Sequence, residues 1–254
     1  MIEGKLLKYE PFVDSRGESG LSGQLYLTEW NGKKYLVKSG KVDALTEFVA
    51  HRLATIIGVP SSDAILIKRG NNSKNGKNVQ VGIEFFEDFT RISMDAFLGG
   101  VGYDGEKNSV EIKYPDDSPL LSDLMKYLAF RQMTIMEDNP QLAISNGRLV
   151  SFDYAESFYL SGISVDRMIY TDDTSHPLQL FRSHLALAGS LQSNLKVIHR
   201  AESEFLREAY LAPLYEFLDA DLQPIFNELA EVYPSVIARF FSEAFEIVKK
   251  ELLG

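Results

Sequence analysis

Lys38, Glu47, Gln141 and Asp153 are the residues whose types and places could carry chemistry. Lys38 ends the apolar run Tyr35-Leu36-Val37, so a flexible arm carries a point charge from a strand end into a neighbouring cleft. Nine residues on, Glu47 stands between Leu45 and Phe48 in a helical pattern, a position from which it can hold that ammonium against phosphate oxygens. Asp153 follows Leu149-Val150-Ser151-Phe152. A carboxylate at the end of a buried strand is costly unless it is paired, hydrogen-bonded or bound to a metal. Asn139 and Gln141 lie upstream in MEDNPQLAISNGRLVSFD. Their amide oxygens, with the carboxylate, phosphate oxygens and water, suit Mg²⁺.

A glycine-rich turn, VDSRGESGLSG, precedes all of these and contains Gly17, Gly20, Ser22 and Gly23. Glycines there allow the positive φ angles that turn backbone N–H groups toward an anion. The stretch lacks GxxxxGK[ST], so it is not a Walker P-loop. Each feature alone also fits a surface ion pair, a plain turn or a capped strand end. Their order along the chain raises their joint weight.

The elements that must position these residues read as strands first and helices later. SGQLYLTEW and KKYLVKSG flank Asn31-Gly32, the strongest hairpin signal in the chain. DALTEFVAHRLATIIGVP spaces Leu45, Phe48, Val49, Leu53, Ile56 and Ile57 as a helix, with Asp43 as its cap and Gly58 and Pro60 as its stop. SDAILIKRG and VQVGIEFFEDF are further strands, and KLLKYE near the start is strand-like. From Pro119 the pattern turns helical. Leu120, Leu124 and Leu128 mark a helix running to Met136, and Leu178–Leu187 and most of 193–253 follow, with Pro213, Pro224 and Pro234 as breaks. Asn146-Gly147 turns the chain into the strand that delivers Asp153. This is an α+β pattern: a β-rich lobe over residues 1–92, a Gly- and Asp-rich hinge over 93–118, and a helical lobe over 119–254 carrying the hairpin.

The chain has 254 residues, 45% hydrophobic and 24% charged, ordinary values for a globular protein with a real core. The absence of cysteine excludes disulfides, thiolate zinc sites and a Cys nucleophile. A net charge of −10 argues against a general nucleic-acid surface, which needs clustered Lys and Arg, but leaves room for a nucleotide. No apolar run suits a membrane span and no signal-like start is seen, so the expectation is a cytoplasmic protein. His51, His176, His184 and His199 show no metal spacing. His51, four residues after Glu47, could hydrogen-bond on that face, but reads first as a helix-surface residue.

Taken in order, these parts resemble the HipA-like kinases, a branch of the protein-kinase and lipid-kinase fold. LVKSGKVDALTEFVAHRLATIIGVPSSDAILI resembles that family's ATP-lysine strand, glutamate helix and following strand, and NPQLAISNGRLVSFDYAESF its Asn-Pro-Asn to strand-end Asp segment. The resemblance spans about residues 13 to 160. It implies a two-lobed protein-kinase-like α+β fold and ATP- and Mg²⁺-dependent transfer of a phosphoryl group to a protein hydroxyl. It further implies that Lys38 holds the α/β-phosphates, Glu47 orients Lys38, Gly20, Ser22 and Gly23 cover the phosphates, and Asp153 is the principal metal ligand. The strand running into Glu84, Phe85, Phe86 and Glu87 is where an adenine ring would meet backbone groups. Members of the family in toxin–antitoxin systems work with an antitoxin partner.

Two departures stand out. The family's metal-binding Asn is Gln141 here, the same amide on a longer arm. The catalytic Asp, about five residues earlier in kinases, falls on Met136, which accepts no proton. Asp138, just before the Asn-Pro pair, is the expected substitute base, with Glu137 beside it. These departures leave one alternative, a pseudokinase acting as a nucleotide-binding or protein-interaction module. A second, a small-molecule or lipid kinase, shares the fold and the Lys–Asp machinery and differs in an acceptor that the divergent helical lobe does not reveal.

Overall fold

The computed structural model describes residues 1–12, 25–39, 41–69, 78–88, 90–92, 98–99, 111–112, 114–115, 117–136, 141–187 and 203–253. Its first part is a six-stranded sheet with strand order β1-β5-β6-β4-β3-β2. The strands are β1 (Ile2–Glu3), β2 (Glu10–Pro11), β3 (Tyr26–Trp30), β4 (Lys33–Ser39), β5 (Ala64–Lys68) and β6 (Val79–Glu84). All neighbours pair antiparallel except β1 on β5. Asn31 and Gly32 both take positive φ at the β3–β4 turn, the backbone that a two-residue hairpin with right-handed twist requires. Tyr35 and Val37 point from β4 into the interior. Central β6 is buried along nearly its whole length. At Gly82 a Cβ would come within 3.0 Å of Ile65 and 3.2 Å of Tyr35, so glycine lets the two neighbouring side chains close over the strand. KLLKYE is not the expected strand: a 3-10 turn occupies Gly4–Leu6.

Helix α1 (Lys41–Ile56) packs on this sheet. Ala44 through His51 are all fully buried, so one face meets the sheet and the other the second lobe. The helix begins at Lys41, which puts Asp43 in its first turn rather than at its cap. It ends as expected at Gly58, whose φ is +71°. There Gly58 N–H bonds Thr55 O at 3.4 Å and Val59 N–H bonds Ala54 O at 2.9 Å, the paired bonds of a Schellman stop.

The helical part starts with α2 (Pro119–Thr134), stopped by Ile135 at φ +50°. Strands β10 (Leu142–Ser145) and β11 (Arg148–Ser151) form the hairpin around Asn146-Gly147. Strand β7 (Thr90–Ile92) pairs with β10, so the chain leaves the first sheet after β6 and at once adds a strand to the hairpin of the other lobe. A separate short pair, β8 (Leu98–Gly99) and β9 (Glu111–Ile112), lies between. After the hairpin come α3 (Gly162–Thr171), α4 (Ser175–Leu187), α5 (Glu204–Asp219), α6 (Gln223–Ala230) and α7 (Ser235–Leu253). Pro224 and Pro234 do mark helix starts. Pro213 does not: it is buried inside the continuous α5. A proline there removes one backbone bond at a cost of about 3 kcal/mol, which the packing of α5 along α2 offsets. One hydrophobic cluster runs from α1 and the sheet through α2 to the aromatic face of α7. The result is the two-lobed α+β architecture expected from the sequence.

Candidate active site

Lys38, Glu47 and Asp153 meet where α1, β4 and the exit of β11 converge. Lys38 lies near the end of β4, and its Nζ bonds Glu47 Oε1. On its other side Nζ stands 2.9 Å from Asp153 Oδ1, across 115 residues of sequence. Glu47 has no solvent exposure and Lys38 little, whereas Asp153 keeps about a third of its side chain open. Two further donors fix the Glu47 carboxylate: Tyr154 N–H reaches Oε2 at 3.0 Å and His51 Nε2 lies 3.2 Å from it. Ala155 N–H reaches Asp153 Oδ1 at 3.3 Å, and Thr46 Oγ1 donates to Ala155 O at 2.7 Å. Three consecutive residues after the hairpin are thereby tied to one turn of α1 and to Lys38.

The charges of these three groups are not equivalent. Burial works against the Lys38 ammonium, but the carboxylates of Glu47 and Asp153 outweigh it and hold its pKa above the ordinary lysine value. Burial likewise opposes the Glu47 anion, yet Lys38 and then His51 prevail and keep it well below the usual carboxylate range. For Asp153, burial and the nearby Glu47 anion outweigh Lys38 and push its pKa up to about 6. Lys38 and Glu47 form a fixed ion pair. Asp153 is the carboxylate left short of positive charge, a deficit that a cation would fill. Asp43, in the first turn of α1, adds another carboxylate near Lys38, its pKa raised chiefly by burial.

Gln141 is brought close to this centre. Its backbone carbonyl accepts from Phe152 N–H and Ser151 Oγ, both at 3.3 Å, which sets it opposite the residue before Asp153. A carboxylate and an amide oxygen are hard donors of the kind Mg²⁺ takes. No group of three or more His, Cys, Asp or Glu side chains able to hold a metal occurs among the described residues. A cation bound by these two donors would take its remaining oxygens from a ligand and water. Met136 is packed into the core, its Sδ accepting from Tyr127 O–H at 3.3 Å and its carbonyl from Arg131 Nε at 3.2 Å. Glu137, Asp138 and Asn139 lie outside the described residues, as do Gly20, Ser22 and Gly23.

Glu84, Phe85, Phe86 and Glu87 follow the end of β6. Glu84 N–H bonds Asp63 O and Phe85 N–H bonds Lys34 O, each at 2.8 Å. Glu84 pairs with Lys33 at 3.0 Å, and Glu87 with Lys34. The N–H groups of Glu84 and Phe85 are thus committed within the protein. A base docked here would address other backbone groups of the stretch.

His51 is the residue that sequence reasoning misplaced. It is fully buried, with its ring edge against the Tyr154 ring at 4.5 Å between centroids. The signal lay in Ala44, Ala50 and Ala54, small residues that bury α1 on faces a leucine count leaves polar.

A β-rich lobe with one central helix, a helical lobe, and a Lys–Glu–Asp centre between them define a two-lobed kinase-like fold. Among solved structures, the Helicobacter pylori proinflammatory kinase CtkA matches with a TM-score of 0.61 over 100% of this chain and 98% of its own, at 10% identity. At that identity the likeness is one of fold. WaaP in complex with acyl carrier protein (TM-score 0.40, 13% identity, 96% and 90% coverage) and a thermostable mutant of an aminoglycoside phosphotransferase (0.30, 10%, 96% and 94%) are more distant than a shared fold requires. Searches with the sequence against family models and against curated proteins found no match. No helix among the described residues is long and apolar enough to cross a membrane.

Proposed function

We propose that this chain is an ATP- and Mg²⁺-dependent phosphotransferase of HipA-like type, moving the γ-phosphoryl group of ATP to a protein hydroxyl. The observation that carries the proposal is the Lys38 ammonium seated between Glu47 of α1 and Asp153 at the hairpin exit. Glu47 holds Lys38 in one place, so its charge meets the nucleotide phosphates without reorganising. Asp153, with Gln141 beside it, would hold Mg²⁺, which supplies charge neutralisation on the phosphate oxygens. Lys38 would exchange its contact with Asp153 for one with the α/β-phosphates. The buried Met136 leaves the acceptor proton to Asp138 or Glu137. Because phosphoryl transfer has a loose transition state, positioning and electrostatics supply most of the acceleration, and a displaced base lowers the rate without abolishing it.

The core-packed Met136 also favours a second reading, a pseudokinase that binds nucleotide without transfer. Incubation with γ-labelled ATP and Mg²⁺ separates the two. The enzyme reading requires label on the chain or on an added protein acceptor, lost in Asp153→Asn. Binding of Mg·ATP with no label transferred to any acceptor supports the pseudokinase, and equal labelling by Asp153→Asn refutes the site assignment.

A further inference from the structure

His51 closes a ring of contacts that the two-lobed site does not otherwise need. One helical turn after Glu47, it faces Glu47 Oε2 with Nε2 at 3.2 Å. A carboxylate of depressed pKa only accepts, so Nε2 carries the hydrogen. On the other side of the ring, Nδ1 accepts from Ser61 Oγ at 2.7 Å, with Ser62 O 2.8 Å away. These serines belong to the segment between α1 and β5, which is itself fastened to the hairpin. Ser62 N–H bonds Ser151 O at 3.3 Å, Ser151 N–H bonds Pro60 O at 3.4 Å, and Ser61 bridges Ser151. Two residues beyond Ser151 is Asp153, which returns to Lys38. The ring therefore runs Lys38, Glu47, His51, Ser61–Ser62, Ser151, Asp153. His51 has no exposure, and both ring nitrogens are engaged.

A buried imidazole with polar partners on both nitrogens is costly to place in a core. A leucine or phenylalanine would fill the same space against Tyr154 without that cost. We propose that His51 is a positioning residue of the nucleotide site: it fixes the rotamer of Glu47, and through it Lys38, relative to the hairpin carrying Asp153. It touches no reacting atom. This inference rests on the phosphotransferase reading for its consequence, but the positioning itself can be measured without nucleotide.

The comparison is His51→Phe, which keeps an aromatic ring and removes both polar contacts, against His51→Gln, whose amide donor can still reach Glu47. Partners one step removed from a bound ion or reacting group are worth roughly 10–100-fold in affinity or activity when lost. His51→Phe is therefore expected to weaken Mg·ATP binding about tenfold, with His51→Gln recovering most of it. In a Glu47→Gln background His51→Phe should add little, because the two act through one carboxylate. Lys38 labelling by an amine-reactive ester, read by peptide mass spectrometry without nucleotide, gives the independent measurement. His51→Phe should label Lys38 several-fold faster than wild type, and His51→Gln near the wild-type rate. If the phenylalanine variant does not fold, His51→Asn, whose amide is too short to reach Glu47, replaces it. Unchanged Lys38 labelling in a folded His51→Phe or His51→Asn would overturn the positioning role. A wild-type chain that binds no nucleotide, yet shows the labelling difference, would overturn the phosphotransferase reading alone.

Discussion

Two carboxylates, Asp123 buried and Asp153 partly open, serve the same hairpin in opposite ways. Asp123, on α2, receives both Nε and Nη2 of Arg148, at 2.7 and 2.6 Å, and the N–H of Leu149 at 3.1 Å. Its pairing is local, bidentate and complete. Asp153, at the exit of the same hairpin, accepts on Oδ1 from Lys38 and from Ala155 N–H and is pushed up to a pKa of about 6. A saturated ion pair holds structure. An acid partly buried beside another acid and sharing one ammonium carries an electrostatic cost, which a cation or ligand would relieve.

The largest effect is expected from removing the shared ammonium. Lys38→Met should lower phosphoryl transfer by about 100- to 1000-fold, the scale of losing a preorganised electrostatic contact. It should also cost about 3 kcal/mol of stability, because Glu47 is left buried without its counter-charge. Enzyme assay and chemical denaturation read the two losses separately. Asp123→Ala comes next. It strands the buried Leu149 N–H and should cost about 2 kcal/mol, while Mg·ATP affinity of the folded protein stays as in wild type. A matching loss of affinity would erase the distinction between the two acids.

The smallest effect has the most telling sign. Because the Asp153 pKa is raised in the folded chain, the folded state binds more protons than the unfolded one between roughly pH 4 and 6. The stability this contributes is fully present below the unfolded carboxylate value and fades as pH rises through about 6. Denaturation without nucleotide should show wild type losing about 1 kcal/mol relative to Asp153→Asn between acid and neutral pH, a figure reduced for the open third of the side chain. Asp153→Asn is thus expected to inactivate and, at neutral pH, to leave stability equal or higher. Nucleotide binding by the wild type should strengthen over the same range.

Much of this was legible in the sequence, for physical reasons that differ by residue. Lys38 and Asp153 end apolar strands, where a charge has few inexpensive fates, and Glu47 breaks an apolar helical stripe at the matching distance. Asn31-Gly32 and Asn146-Gly147 announced both hairpins, because their turns need positive φ at both residues. His51 was not legible from the leucine pattern, since α1 is buried on two opposite faces and one of them is lined by alanines. Pro213 misled because local backbone preference lost to the packing of α5 on α2. The pairing of β7 with β10 depends on contacts about fifty residues apart, which no local pattern encodes. Asp138, Glu137 and the glycine turn stand as proposals from the sequence.

The central claim is that Lys38, Glu47 and Asp153 together form a nucleotide site. A thermal-shift titration with Mg·ATP, run on wild type, Lys38→Met and Asp153→Asn, tests it most directly. A ligand at about a hundred times its Kd stabilises the folded state by roughly 2.7 kcal/mol, so wild type should melt several degrees higher and neither variant should respond. No shift in wild type, or an equal shift in Asp153→Asn, would contradict the account.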